Sequence, residues 1–112
     1  MNKTSNRYQA LVRRILGSLG DTPEVIAVGL GNADSKGMPR DERCCPVANF
    51  LTVEIAKCLP AAKVFVLSEC VLLFDGEQEN EEIFLIDVDL PHPLQNFIKR
   101  FDQGQFPQLL GK

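Results

Sequence analysis

Apolar residues recur along this chain at helical spacing in some stretches and at strand spacing in others, and the changes between the two mark its elements. Between about residues 5 and 19, Tyr8, Leu11, Val12, Ile15, Leu16 and Leu19 recur at steps of three and four, which is one face of a helix. Thr4 or Ser5 can cap it, Gly17 weakens its end and Gly20 stops it. Thr22-Pro23-Glu24 is a helix start: a capping hydroxyl, a proline suited to the first turn, and an acid at the positive end of the helix dipole. A short helix over about 23–31 follows, with a strand as the competing reading because Val25-Ile26-Ala27-Val28 is rich in β-branched residues. Residues 32–45 read as a long polar loop. Pro46 then opens a helix to about Cys58, with Val47, Phe50, Leu51, Ile55 and Cys58 on its inner stripe.

The second half changes period. Lys63 to Phe74 is strongly apolar and reads as a buried strand or a pair of short strands, with a bend, bulge or hairpin at Ser68-Glu69. Asp75-Gly76 is a turn signal, Gly76 to Glu82 an acidic loop, and Ile83 to Asp89 the returning antiparallel strand. Pro91-His92-Pro93 breaks that strand and starts a last helix over about 93–103, on which Leu94, Phe97, Ile98 and Phe101 share a face. The apolar tail Phe106 to Leu110 should fold back on the body rather than leave a sticky patch.

These elements predict an α+β fold: three or four helices packed on one face of a small antiparallel sheet, in a single domain over residues 1–112. Leu16, Leu51, Ile55, Val66, Leu85, Phe97 and Phe101 are the expected core. Phe65, Leu67, Ile83 and Leu85 cannot all be exposed, so one sheet face must be covered. A hydrophobic content of 45% supplies the interior, and 24% charged residues is ordinary for a soluble globular protein. No apolar run approaches the ~20 residues needed to span a bilayer, and the start of the chain lacks a hydrophobic signal region, so no membrane role and a cytoplasmic location are expected.

The net charge is −3, but it is unevenly spread. Residues 1–20 carry Lys3, Arg7, Arg13 and Arg14 and no acid, whereas residues 64–98 carry eight acids and no lysine or arginine. Such poles can pair with a charged partner or with a second copy. The acidic balance, the absence of Trp and the single Tyr argue against nucleic acid as the partner.

Candidate chemistry is sparse. Cys44, Cys45, Cys58 and Cys70 contain no Cys-x-x-Cys pair of the kind that converges on zinc. Cys58 and Cys70 fall on apolar elements, where a thiol acts as a small hydrophobe. Cys45 precedes Pro46 at a helix start, where free N–H groups and the nearby Arg43 favour a thiolate. A nucleophilic cysteine needs a base, and the one histidine is His92, so Cys45 and His92 are the weak catalytic candidates. Asp87 and Asp89 are two apart on a strand and point to one face, where a carboxylate pair can hold a divalent cation or merely form a polar outer surface opposite Phe84, Ile86 and Val88. Val28-Gly29-Leu30-Gly31-Asn32 lacks the third spaced glycine of a dinucleotide loop, and no cofactor is expected.

The segment Cys45-Pro46-Val47-Ala48-Asn49-Phe50-Leu51 and the ending from Leu90-Pro91-His92-Pro93-Leu94 through Phe97 and Phe101-Asp102-Gln103-Gly104 to Phe106-Pro107 resemble short bacterial proteins of uncharacterised role. That resemblance implies no activity. Val25 to Asn32, Asp41-Glu42 and Ile83 to Asp87 are together similar to the pattern of hydrogenase-maturation peptidases. That second likeness implies metal binding through carboxylates and a histidine, which here would be Glu42, with His92 and the Asp87–Asp89 pair. The chain departs from that family in its leading helix, in Cys44-Cys45-Pro46 and in lacking its second half.

Taken together, the residues favour a small non-catalytic interaction or regulatory domain that binds a protein partner or itself. A metal-dependent hydrolase and a thiol-based redox-sensitive protein are the alternatives. The contact surfaces would be the 32–45 loop, the acidic loop at 75–82 and the basic first helix.

Overall fold

The computed structural model describes residues 3–78 and 81–111, and of residues 3–6, 77, 78, 81 and 82 it describes the backbone alone. Among these residues the chain forms α1 (Lys3–Ser18), α2 (Pro23–Asn32), α3 (Pro46–Ala56), β1 (Ala62–Val66), β2 (Cys70–Gln78), β3 (Glu81–Asp89) and α4 (His92–Asp102). A 3-10 turn, Pro107–Leu109, follows. The strands make one antiparallel sheet in the order β1-β2-β3. This is the α+β arrangement that the periodicities predict.

Local chemistry accounts for most boundaries. The side chains of Thr4 and Ser5, the expected caps of α1, lie outside the described residues. Gly20, at a φ of 128°, ends the α1 turn in a conformation that L side chains rarely adopt. The helix reading of α2 holds over the strand reading because Thr22 Oγ1 accepts from Val25 N at 3.2 Å and Pro23 opens the first turn. β1 and β2 form a hairpin closed by Leu67 N donating to Cys70 O at 2.8 Å, so of the two readings of 63–74 the pair of strands holds, and the connection is a hairpin rather than a bend or bulge.

Alternation along the strands sends Val64, Val66, Val71, Leu73, Ile86 and Val88 to one face, where all are buried. α3 packs on β1 and α1 on β3, so both helices cover that face. α2 packs on α4 and on α3, which encloses Leu94, Phe97, Ile98 and Phe101. The buried residues form one hydrophobic cluster.

Two strand expectations are corrected. Gly76 to Glu82 is not a loop: Gly76 to Gln78 belongs to β2, Glu81 and Glu82 belong to β3, and Gln78 pairs with Glu81. Gly76 marks a strand irregularity rather than a turn, and its N donates 2.9 Å to Ala61 O beside the start of β1. Leu85 is half-buried rather than core, and Phe84 is exposed rather than turned inward. The pairing jumps from Leu73–Ile86 to Phe74–Phe84, which leaves Leu85 as the extra residue of a β-bulge. The other six expected core residues are buried.

The 33–45 segment is tied down along its length. Ser35 Oγ donates to Pro46 O at 2.9 Å in the interior, and Asn49 Nδ2 donates to Lys36 O at 2.6 Å. Asp41 Oδ1 accepts from Arg43 N and Cys44 N, an aspartate turn. Gly37 pairs with the tail as its N donates to Leu109 O and its O accepts from Gly111 N. The tail does fold back: Leu109 is fully buried, and Phe106 stacks on Phe97 at 5.2 Å between centroids. Arg100 lies 4.9 Å over the Phe106 ring and pairs with Glu24 of α2 at 2.5 Å, which joins tail, α4 and α2.

Replacing Phe97, which is 1% exposed, with Ala should cost about 3–5 kcal/mol in urea denaturation. A Cβ on Gly37 would lie 2.6 Å from Cys45 C and Pro46 N, and closer still to Cys44 O. All three are backbone atoms, so Gly37→Ala should destabilise by about 1–3 kcal/mol in the same measurement although it adds a single methyl.

Candidate functional site

The sheet face opposite α1 and α3 carries aromatic side chains that neither helix covers. Phe65 and Phe74 project there because they alternate with Val64 and Leu73. The bulge at Leu85 brings Phe84 opposite Phe74, although Phe84 shares sequence parity with the buried Ile86. The three rings form a row, with 5.3 Å between the Phe65 and Phe74 centroids and 5.5 Å between Phe74 and Phe84, both edge to face. Phe84 is 52% exposed. The Arg43 guanidinium sits over the Phe65 ring at 5.3 Å.

One end of this face is anionic. Asp87 and Asp89 are exposed on β3 beside Cys70, which pairs with Asp89 across the strands, and Glu69 is exposed in the adjoining turn. Partial burial raises the Cys70 thiol above its ordinary pKa, and the negative charges of Asp87, Asp89 and Glu69 push it in the same direction. The side chains of Glu77, Glu81 and Glu82 at the far end of the hairpin lie outside the described residues, as does Glu79 altogether.

The remaining sequence candidates lie apart from this face or in other surroundings. Glu42 is exposed in the loop before α3, where its backbone carbonyl accepts from Val66 N at 2.7 Å. His92 is exposed at the first turn of α4. Thus Glu42, the Asp87–Asp89 pair and His92 stand on three different elements, and among the described residues no group of three or more His, Cys, Asp or Glu side chains could hold a metal ion. Gly29, Leu30 and Gly31 lie within α2 rather than at a strand-to-loop turn.

The thiols differ from expectation. Cys45 does cap α3, with Sγ accepting from Ala48 N at 3.4 Å, but it is buried. Its thiol is pushed up to about 11 because burial outweighs the lowering effect of the Ala48 and Val47 N–H groups; Asp102 and Asp41 push it the same way as burial. Arg43, expected to favour a thiolate here, is spent on Phe65. Cys58 is exposed rather than on the core stripe, because α3 ends at Ala56. All four cysteines are free.

A second concavity, a cleft of about 770 Å³, lies between the Arg40 turn, the β1–β2 turn and α4. Arg40 adopts the left-handed conformation at a φ of 58°, held by its N–H donating to Asp102 Oδ1 at 2.7 Å. Its lining mixes Arg40 and Lys99 with Glu69 and Asp102, so it selects neither sign of charge. Comparison of the chain with protein families, with curated proteins and with solved structures finds no match.

Sequence reasoning missed this row: Phe65 stood among the residues expected to need cover, Phe74 ended a stretch read as buried, and Phe84 was expected to turn inward until the bulge reversed its parity.

A thiol reagent at neutral pH should label Cys44 and Cys58 first, Cys70 more slowly and Cys45 last, as mass mapping of the modified chain will read. The raised Cys45 thiol also sets an alkaline limit. Above the ordinary value of 9.0 the unfolded thiol ionises while the folded one stays protonated, so this contribution is intact below pH 9 and lost as pH rises toward about 11. Stability relative to Cys45→Ala should fall by about 1.4 kcal/mol per pH unit across that window; equal slopes for the two proteins would show that Cys45 is not held neutral.

Proposed function

We propose that this chain is a non-catalytic interaction module that binds a protein partner or a second copy of itself through the outer face of its sheet. The observation that carries the reading is the Phe65–Phe74–Phe84 row on a sheet face that neither α1 nor α3 covers. A sheet with one uncovered face normally presents polar residues there. Here Asp87 and Asp89 stand at one end and Lys63 beside Phe74, and aromatic rings stand where a solvated surface needs none. Aromatic side chains supply large contact area at small entropic cost, which is why they anchor protein interfaces. The acidic end supplies orientation.

The hydrolase reading requires Glu42, Asp87 and His92 to share one cleft, and among the described residues no group of three or more His, Cys, Asp or Glu side chains could hold a metal ion. The redox reading is left with the exposed Cys44 and Cys58, which stand before and after α3.

The test is Phe84→Ser. Phe84 is about half exposed, so thermal unfolding should change by no more than about 0.5 kcal/mol. Association, read as proteins co-purifying from the native host and as self-association of the purified chain, should be lost. Undiminished association of the variant, or a wild-type chain that associates with nothing, overturns the sheet-face reading.

A further inference from the structure

The aromatic sheet face has a complement elsewhere on the same chain. Arg7, Arg13 and Arg14 are exposed on α1, and among the described residues their side chains make no ion pair. α1 packs its Val12, Ile15, Leu16 and Leu19 stripe inward over β3, so its arginines face solvent on the side away from the outer sheet face. Arg7 and Arg14 flank a surface groove whose floor is the half-buried Tyr8 and Leu11. The patch is therefore cationic with an apolar centre. The outer sheet face is the reverse, an aromatic row with the carboxylates of Asp87 and Asp89 at its end, and those carboxylates also make no ion pair among the described residues.

The two patches cannot meet within one molecule, because the sheet itself lies between them. They can meet between molecules. We infer that the occupant of the sheet face is α1 of a second copy, with Arg7 and Arg14 of one molecule against Asp87, Asp89 and the Phe74–Phe84 rings of the next. This rests on the reading of the sheet face as an interaction surface and names its partner. The face already accepts a guanidinium in this way, since Arg43 covers Phe65. Charge complementarity further selects this pairing over sheet against sheet, which would bring two acidic faces together.

The geometry has a consequence for assembly. Each molecule carries one socket and one plug on different faces, so the contact is heterologous. It closes into a ring or continues as an open chain, and it does not stop at a two-fold dimer. Being carried by exposed charges, it weakens as salt shortens the screening length from about 10 Å at 0.1 M to about 3 Å at 1 M.

Sedimentation velocity on the purified full chain tests this at several concentrations in 50 mM and 1 M salt. Mass should rise past the dimer with concentration at low salt, and the apparent dissociation constant should increase roughly tenfold or more at high salt. Asp87→Lys with Asp89→Lys should give a monomer, as should Arg7→Glu with Arg14→Glu. All four sites are solvent-facing, and circular dichroism verifies that both variants fold. An equal mixture of the two variants should assemble again, since each then offers the charge that the other lacks. Assembly that stops at a dimer, or a mixture that stays monomeric, overturns the α1 pairing. A wild-type chain that is monomeric throughout while Phe84-dependent capture of a host protein persists overturns the α1 pairing alone. Monomer with no Phe84-dependent partner overturns the sheet-face reading as well.

Discussion

Burial of one face of a three-stranded sheet governs the rest of this molecule. The six aliphatic residues on the inner face of β1, β2 and β3 exclude water only if helices lie across them. The chain has two helices in position to do so, α1 over β3 and α3 over β1. α2 and α4 are committed elsewhere, packed on each other around Phe97 and Phe101. No helix is left for the opposite face, and the aromatic row there follows from that shortage. The same arrangement that builds the core thus creates the surface on which the proposed function rests.

The layer of α2 and α4 is held by a different kind of link. Arg100 touches Glu24, Gln105 and the Phe106 ring at once, so a single guanidinium ties α2, α4 and the tail together. The Glu24 carboxyl is held below its ordinary range chiefly by its hydrogen bond from Arg100, which marks the pair as formed in the folded state. The tail in turn closes the 33–45 segment at Gly37, where backbone crosses backbone. That closure covers Cys45, and so the helix cap that could have produced a reactive thiolate became a packed thiol. Long loops often serve binding; this one covers the core.

Charge is distributed by the same architecture. α1 turns its arginines outward because its apolar stripe must face the sheet, and β3 turns Asp87 and Asp89 outward because Ile86 and Val88 must face α1. Opposite charges therefore end on opposite sides of one layer pair. Among the described residues no helix is long and apolar enough to cross a membrane.

Local patterning carried much of this in advance. The 3.6-residue stripes of α1 and α4, the Thr22-Pro23 cap of α2, the Pro46 start of α3 and the folding back of Phe106 to Leu110 were all readable, because each depends on neighbours in sequence. Tertiary structure decided what depends on distant partners. The bulge at Leu85 arises from pairing with β2, and it turned Phe84 from its expected inward orientation to the open face. Gly76 read as a turn from its dipeptide and is a strand irregularity because it bonds back to Ala61. Cys45 and Cys58 exchanged their expected exposures, one because the loop, tail and α4 close over it, the other because α3 ends two residues early. Periodicity fixes which side chains share a face of one element; which face meets water is settled only when the elements compete for a limited number of covers.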